Sequence, residues 1–217
     1  MALQVVLASQ SPRRKELLER LGFSVKCIPA QIAEERMPDE PPDNYVKRLA
    51  RSKVLSVVQR IRTTQYEQTP ARVSRVTGKL EGESLRWVVG ADTVVVCAGE
   101  VLEKPKDHLD AYDMLMNLAG RTHEVMTGFC IFDMHKDKEG IQTVRTEVKF
   151  KPMTKDEVER YVSVGESMDK SGAYGIQGVG AYLVEGLVGS YTNVVGLPLC
   201  QVVQVMEEMG AHEILPF

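Results

Sequence analysis

The sequence predicts an α/β protein built around a mixed sheet, and three observations point there. Apolar strand-like runs alternate with amphipathic helical stretches along most of the chain. Some runs are joined by tight turns such as Ala98-Gly99-Glu100, which make hairpins and antiparallel pairs. Others are separated by a helix, which makes crossovers and parallel pairs. The 217 residues, 43% apolar and 26% charged, suffice for one large domain or a two-lobed one with a real core.

The elements follow in order. Gln4–Ala8 is a strand. Ser11 then caps a helix over Pro12–Leu21, with Pro12 at the position where its missing N–H costs nothing and Gly22 as the stop. Phe23–Ile28 reads as a second strand, closed by Pro29. After the acidic pair Glu34-Glu35 and a Pro-rich turn, 37–42, a helix is expected over Asp43–Arg60, with Val46, Leu49, Val54, Val57 and Val58 among its apolar positions. The stretch from about Thr63 to Arg86 is polar and lacks periodicity. It is expected to be a long exposed loop carrying a short hairpin, and it reads as an insertion in a single two-lobed domain, 1–217.

Trp87–Val89 and Thr93–Cys97 are strands around Gly90-Ala91-Asp92, and Val101–Leu102 returns in a hairpin. Asp107–Leu118 is a helix ending before Gly120. Glu124–Met134 and Ile141–Phe150 pair across a charged turn. Thr154–Val164 is a helix opened by a capping box of Thr154 and Glu157. Residues 165–180 are Gly-rich and irregular. Ala181–Val188 and Tyr191–Val195 are expected to form a further hairpin, and Pro198–Met209 the closing helix.

Composition excludes some classes. A net charge of −3 argues against a general nucleic-acid binder, while leaving room for a small anion in one basic cleft. Cys27, Cys97, Cys130 and Cys200 are far apart in apolar contexts, as buried reduced thiols are, and no pair has zinc-ligand spacing. His108, His123, His135 and His212 show no ligand spacing either. No run is apolar over the length of a bilayer and no leader peptide is read, so no membrane partner and a cytoplasmic location are the expectation.

Four segments carry chemistry. In Ser9-Gln10-Ser11-Pro12-Arg13-Arg14-Lys15, three cations sit where a helix N-terminus disfavours them, and a bound phosphate would compensate. The plain alternative is a solvated basic turn. Asp92 interrupts an apolar run, which is costly unless it is paired or faces a cleft. It is either a turn aspartate or a metal ligand and general base. Lys53 and Lys104, with Arg13 and Arg14, would supply cations enough for a triphosphate; singly, Lys104 and Glu34 read as surface residues. Asp169–Gly178 holds three glycines interleaved with Tyr174, Ile176 and Gln177, a shaped wall or a surface turn. The Gln177 amide donates and accepts side by side, as the edge of uracil or thymine requires, although a flipped amide would suit cytosine as well.

Together, Ala8-Ser9-Gln10-Ser11-Pro12-Arg13-Arg14, Gly90-Ala91-Asp92-Thr93, Leu102-Glu103-Lys104-Pro105 and Asp169–Gly178 resemble the Maf family of nucleoside triphosphate pyrophosphatases, nearly end to end. The last loop resembles that of the branch acting on dTTP and UTP. The resemblance implies an α/β/α arrangement around a mixed sheet (ITPase-like), two lobes with a cleft, and often a dimer. It implies hydrolysis of a pyrimidine nucleoside triphosphate to monophosphate and pyrophosphate with a divalent cation, Mg²⁺ or Mn²⁺. Asp92 would be the proton acceptor, and Asp92 and Glu34 the metal ligands. Ser9, Arg13, Arg14, Glu34, Lys53 and Lys104 would form the catalytic and phosphate-binding set, with Glu35 the alternative to Glu34. Arg13, Thr93 and Gln177 match positions that tune base choice. Ser171 departs from the usual alanine of the loop, and the polar stretch at about 63–86 exceeds that of typical members. The rival readings are a nucleotide-sensing regulator without catalysis, a purine-directed pyrophosphatase, and a cell-division scaffold.

Overall fold

The computed structural model describes residues 3–68 and 85–211. Its centre is a seven-stranded mixed sheet. The strands are β1 (Gln4–Leu7), β2 (Ser24–Cys27), β3 (Trp87–Cys97), β4 (Glu100–Leu102), β5 (Thr122–Asp133), β6 (Lys138–Phe150) and β7 (Val184–Val188). They run in the order β2-β1-β3-β5-β6-β7, with β4 alongside β3. The β1 pairings to β2 and β3 are parallel, and all others are antiparallel. The mixed α/β class read from the sequence therefore holds.

Among the described residues six α-helices cover the sheet: α1 (Pro12–Arg20), α2 (Pro42–Gln68), α3 (His108–Leu118), α4 (Lys155–Ser163), α5 (Tyr191–Val195) and α6 (Leu199–Glu208). Strand alternation sorts the core. Val5, Leu7, Val89, Phe129 and Ile131 face α1 and α6. Val6, Val88, Cys130 and Phe132 face the other way, onto Ala50, Val54, Val57 and Ile61 of α2. The α2 valines 54 and 57 have no exposure, and each contributes on the order of 1.5 kcal/mol by leaving water. A further cluster joins Val95, Cys97, Val125, Val148 and Phe150 to α3 and α4.

The approach of α2 is unusually close. A Cβ at Gly128 of β5 would land on the Val46 carbonyl group, so only glycine lets the helix backbone lie there.

Besides β3, which runs unbroken from Trp87 to Cys97 where two strands are expected, and the exposed thiols of Cys27 and Cys200 where buried ones are expected, two expectations are corrected. Thr63–Gln68 continues α2 and does not begin a loop. The Thr63 and Thr64 hydroxyls bond back to the carbonyls of Gln59 and Arg60, which satisfies these polar side chains inside the helix. The rest of the expected loop and its hairpin, 69–84, lies outside the described residues. Second, Tyr191–Val195 is helical and pairs with no strand. Its β-branched residues suggested a strand, but Ser190 caps the turn by accepting the Asn193 N–H, and Gly196 ends it at φ 119°.

The sheet also leaves a gap. On one edge of β3, β1 covers only Trp87–Val89 and β4 only Val95–Cys97. Among the described residues, no strand pairs with 90–94 on that side. The chain leaving the carboxyl end of β1, at Ala8–Ser9, opens onto this gap, the place where open α/β sheets receive ligands.

Candidate active site

A cavity of about 700 Å³ occupies the gap. Ser9, Arg13, Arg14, Glu34, Lys53, Asp92, Thr93, Lys104 and Gln177 all line it. All nine positions singled out in the sequence are thus brought together, from six separate stretches of chain.

Asp92 and Thr93 are successive residues of β3, so their side chains leave opposite faces of the sheet. Asp92 points toward α2. Its carboxylate accepts a hydrogen bond from Lys53 Nζ at 2.7 Å, and both side chains are about nine-tenths buried. Burial raises the Asp92 pKa above the ordinary carboxylate value, and the charges of Lys53 and Arg14 oppose that rise. Lys53 Nζ also lies 3.0 Å from Glu34 Oε1, so one ammonium holds two carboxylates. Of the two adjacent glutamates it is Glu34 that turns inward. The Tyr45 hydroxyl, 2.9 Å from the Glu34 carbonyl oxygen and 2.8 Å from the Glu103 carboxylate, lies against that stretch of chain.

Thr93 points the other way, toward α1. Arg14 donates to Thr93 Oγ1 at 3.1 Å, to the Gly196 carbonyl at 2.8 Å, and more weakly to Ser9 Oγ. Thr127 donates to the Asn193 carbonyl, so the Thr93 proton goes to Thr127 Oγ1, 2.9 Å away. This chain of donors fixes the guanidinium in place. Arg14 has no carboxylate partner among the described residues, and neither has Lys104. Burial lowers the Arg14 pKa, as expected of a cation removed from water. Arg13 instead pairs with Asp169 of the Gly-rich loop at 3.0 Å.

The start of α1 is arranged as the sequence suggested. Ser11 Oγ accepts the Arg14 N–H, and Pro12 has none to satisfy. Ser9 Oγ accepts the Ser11 N–H at 3.1 Å, which leaves the Ser9 proton available to a ligand. Gln177 is exposed on the opposite wall, and its amide makes no hydrogen bond among the described residues. Ser171, the departure in that loop, donates to the Thr93 carbonyl at 2.9 Å on the open edge of β3.

The donor set suits a divalent cation that arrives with phosphate. Among the described residues no three His, Cys, Asp or Glu side chains converge as a protein cage. Two carboxylates, Asp92 and Glu34, do share one point, and Mg²⁺ commonly takes one or two carboxylates plus phosphate oxygens.

Sequence reasoning missed several participants. Gly196 offers only a carbonyl, and Thr127 lies one strand away, so neither carries a local signal. Glu166 lines the cavity too, and only its position ahead of the Gly-rich loop hinted at it.

A family model described as Maf-like protein matches residues 4–209. The chain belongs to the Maf family. It is 46% identical over 208 residues to a protein of Geobacter sulfurreducens named dTTP/UTP pyrophosphatase, with 96% of this chain and 97% of that one covered. It is 45% identical to a protein of the same name from Geobacter sp. strain M21, covering 95% and 96%. A third so named, from Syntrophomonas wolfei, is 38% identical over 206 residues, covering 95% and 97%. Among the described residues no helix is long and apolar enough to cross a membrane.

Proposed function

We propose that this Maf-family chain is a nucleoside triphosphate pyrophosphatase that hydrolyses dTTP and UTP to the monophosphate and pyrophosphate. The observation that carries the reading is a buried Asp92 held on Lys53, in one cavity with the unpaired cations Arg14 and Lys104. A pure anion binder gains nothing from a buried carboxylate at that point.

The site has to orient a water against the α-phosphorus and stabilise charge on the departing pyrophosphate. Asp92 accepts the water proton as the new P–O bond forms and the α–β bridging bond breaks. Its raised pKa makes it a better base than an exposed aspartate. Lys53 fixes the direction of that carboxylate and keeps Glu34 beside it. Arg14 and Lys104 take the phosphate charge, with the Ser9 hydroxyl as a further donor. Arg13 joins them when it exchanges Asp169 for phosphate oxygens, and it and Thr93 border the space for the base. Gln177 presents its amide to the acceptor–donor edge of uracil or thymine. A divalent cation, Mg²⁺ or Mn²⁺, held by Asp92, Glu34 and phosphate oxygens, supplies further charge neutralisation when bound. A homodimer, from the family resemblance, and the cytoplasmic location expected from the sequence complete the proposal.

The test is product analysis. Purified protein incubated with UTP or dTTP and Mg²⁺ or Mn²⁺ should release UMP or dTMP and pyrophosphate in equal amounts. Nucleotide bound without products, or orthophosphate and a diphosphate released instead, would overturn it.

A further inference from the structure

Glu166 precedes the Gly-rich loop and is used by none of the steps above. One of its carboxylate oxygens, Oε2, accepts the Tyr161 hydroxyl at 3.1 Å and the Gly180 N–H at 3.0 Å. The Tyr161 hydroxyl in turn accepts the Gly175 N–H at 3.3 Å. Tyr161 itself is 2% exposed, anchored in the core beside α3. The two ends of the segment 175–180 are thus tied to one carboxylate through one buried phenol. Between the ties stand Ile176 and Gln177, both on the cavity wall. The other carboxylate oxygen of Glu166 fills the space that a Cβ at Gly178 would take. The segment is therefore closed onto Glu166 from three positions.

We propose that Glu166 is a positioning residue for base choice: its carboxylate sets the backbone that aims the Gln177 amide at the pyrimidine. The inference rests on the pyrimidine triphosphatase reading above. Gln177 is exposed and makes no side-chain hydrogen bond of its own among the described residues, so the backbone on either side decides where its amide points. A short segment that is untied at both ends samples many orientations, and misplacement by about an ångström is enough to lose a directional contact. The phosphate-binding groups Arg14, Lys104 and Ser9 lie on other elements and do not depend on these ties.

The test is a double-mutant cycle of Glu166→Ala and Gln177→Ala, read as kcat/KM for UTP and for CTP. Glu166→Ala should raise KM for UTP about tenfold, the scale of losing hydrogen bonds to a charged group, with little change in kcat. The UTP-to-CTP ratio of kcat/KM should fall by a similar factor. In a Gln177→Ala background the same substitution should change that ratio by less than about twofold, since the group it aims is gone. Glu166→Gln, which keeps an acceptor oxygen, should restore most of the discrimination. Gly178→Ala serves as the second variant: it displaces the carboxylate without removing it, and should mimic Glu166→Ala. Equal effects of Glu166→Ala with and without Gln177 would show that Glu166 acts on substrate directly and overturn the proposal. An unchanged ratio in folded Glu166→Ala would overturn it as well. Failure of the wild-type protein to cleave UTP would instead overturn the underlying function.

Discussion

Lys53 Nζ lies 2.7 Å from Asp92 Oδ1, on a lysine carried by α2 and an aspartate carried by the central strand β3. A buried carboxylate without a cation would be driven toward its neutral form, and a buried lysine without an anion likewise. In the wall of the cavity Lys53 supplies the positive charge that opposes the effect of burial on Asp92. Glu34 on the same ammonium gives Lys53 a second anion, so its charge is already taken before any phosphate arrives.

This arrangement separates chemistry from stability in an Asp92→Asn variant. The amide retains shape and can accept a hydrogen bond from Lys53, which still has Glu34. The variant should keep its fold by circular dichroism, yet lose on the order of a hundredfold or more in kcat on UTP, the scale of removing a general base. Turnover at the wild-type rate would remove Asp92 from the role.

Legibility in the sequence followed how local the cause was. Ser11, Pro12 and the strand before them specify the start of α1 by their own backbone chemistry, and the structure agrees. Asp92 stood out because a charge among valines demands a partner. The partner did not stand out, because Lys53 is one lysine among several on α2, and only the packing of α2 on the sheet selects it. The sequence groups it with the phosphate-binding cations, and the fold gives it two carboxylates first. Tyr191–Val195 misled through strand-like composition, although Ser190 and Gly196 carried the right punctuation. Glu166 had no signal beyond its place ahead of the Gly-rich loop, since its partners at 161 and 180 meet it only once the loop closes.

The dependence of the site on close packing gives a second prediction. Gly128 faces the Val46 carbonyl, seven residues before Lys53 on the same helix. Backbone cannot swing aside as a side chain can, so Gly128→Ala must lift α2 from the sheet. It should cost about 3 kcal/mol, the upper range for overpacking, and lower Tm by on the order of 8 °C. The folded fraction should also lose activity, because Lys53 moves with the helix. A variant with unchanged Tm and unchanged kcat/KM would contradict this account of the packing.

The last prediction concerns acid. His123 on β5 is 2% exposed, its Nε2 lies 2.8 Å from the Tyr174 hydroxyl, and its Nδ1 has no hydrogen-bond partner among the described residues. Phe150 and Tyr174 close on the ring edge-to-face, at centroid distances of 4.8 and 5.4 Å. Burial lowers its pKa to about 4, against 6.5 for an ordinary histidine. The sign follows from proton counting: between those values the unfolded chain holds a proton that the native state refuses. The histidine's contribution is therefore complete above pH 6.5 and is lost as pH falls toward 4. Between pH 7 and pH 5 the loss should be about 2 kcal/mol, at 1.36 kcal/mol per pH unit below 6.5. Urea unfolding at the two pH values should show that loss in the wild type and a smaller one in His123→Gln, whose side chain does not titrate. Because Tyr174 lies in the loop that walls the cavity, the same protonation should loosen that wall first. Equal pH dependence in the two proteins would mean that His123 is not the group responsible.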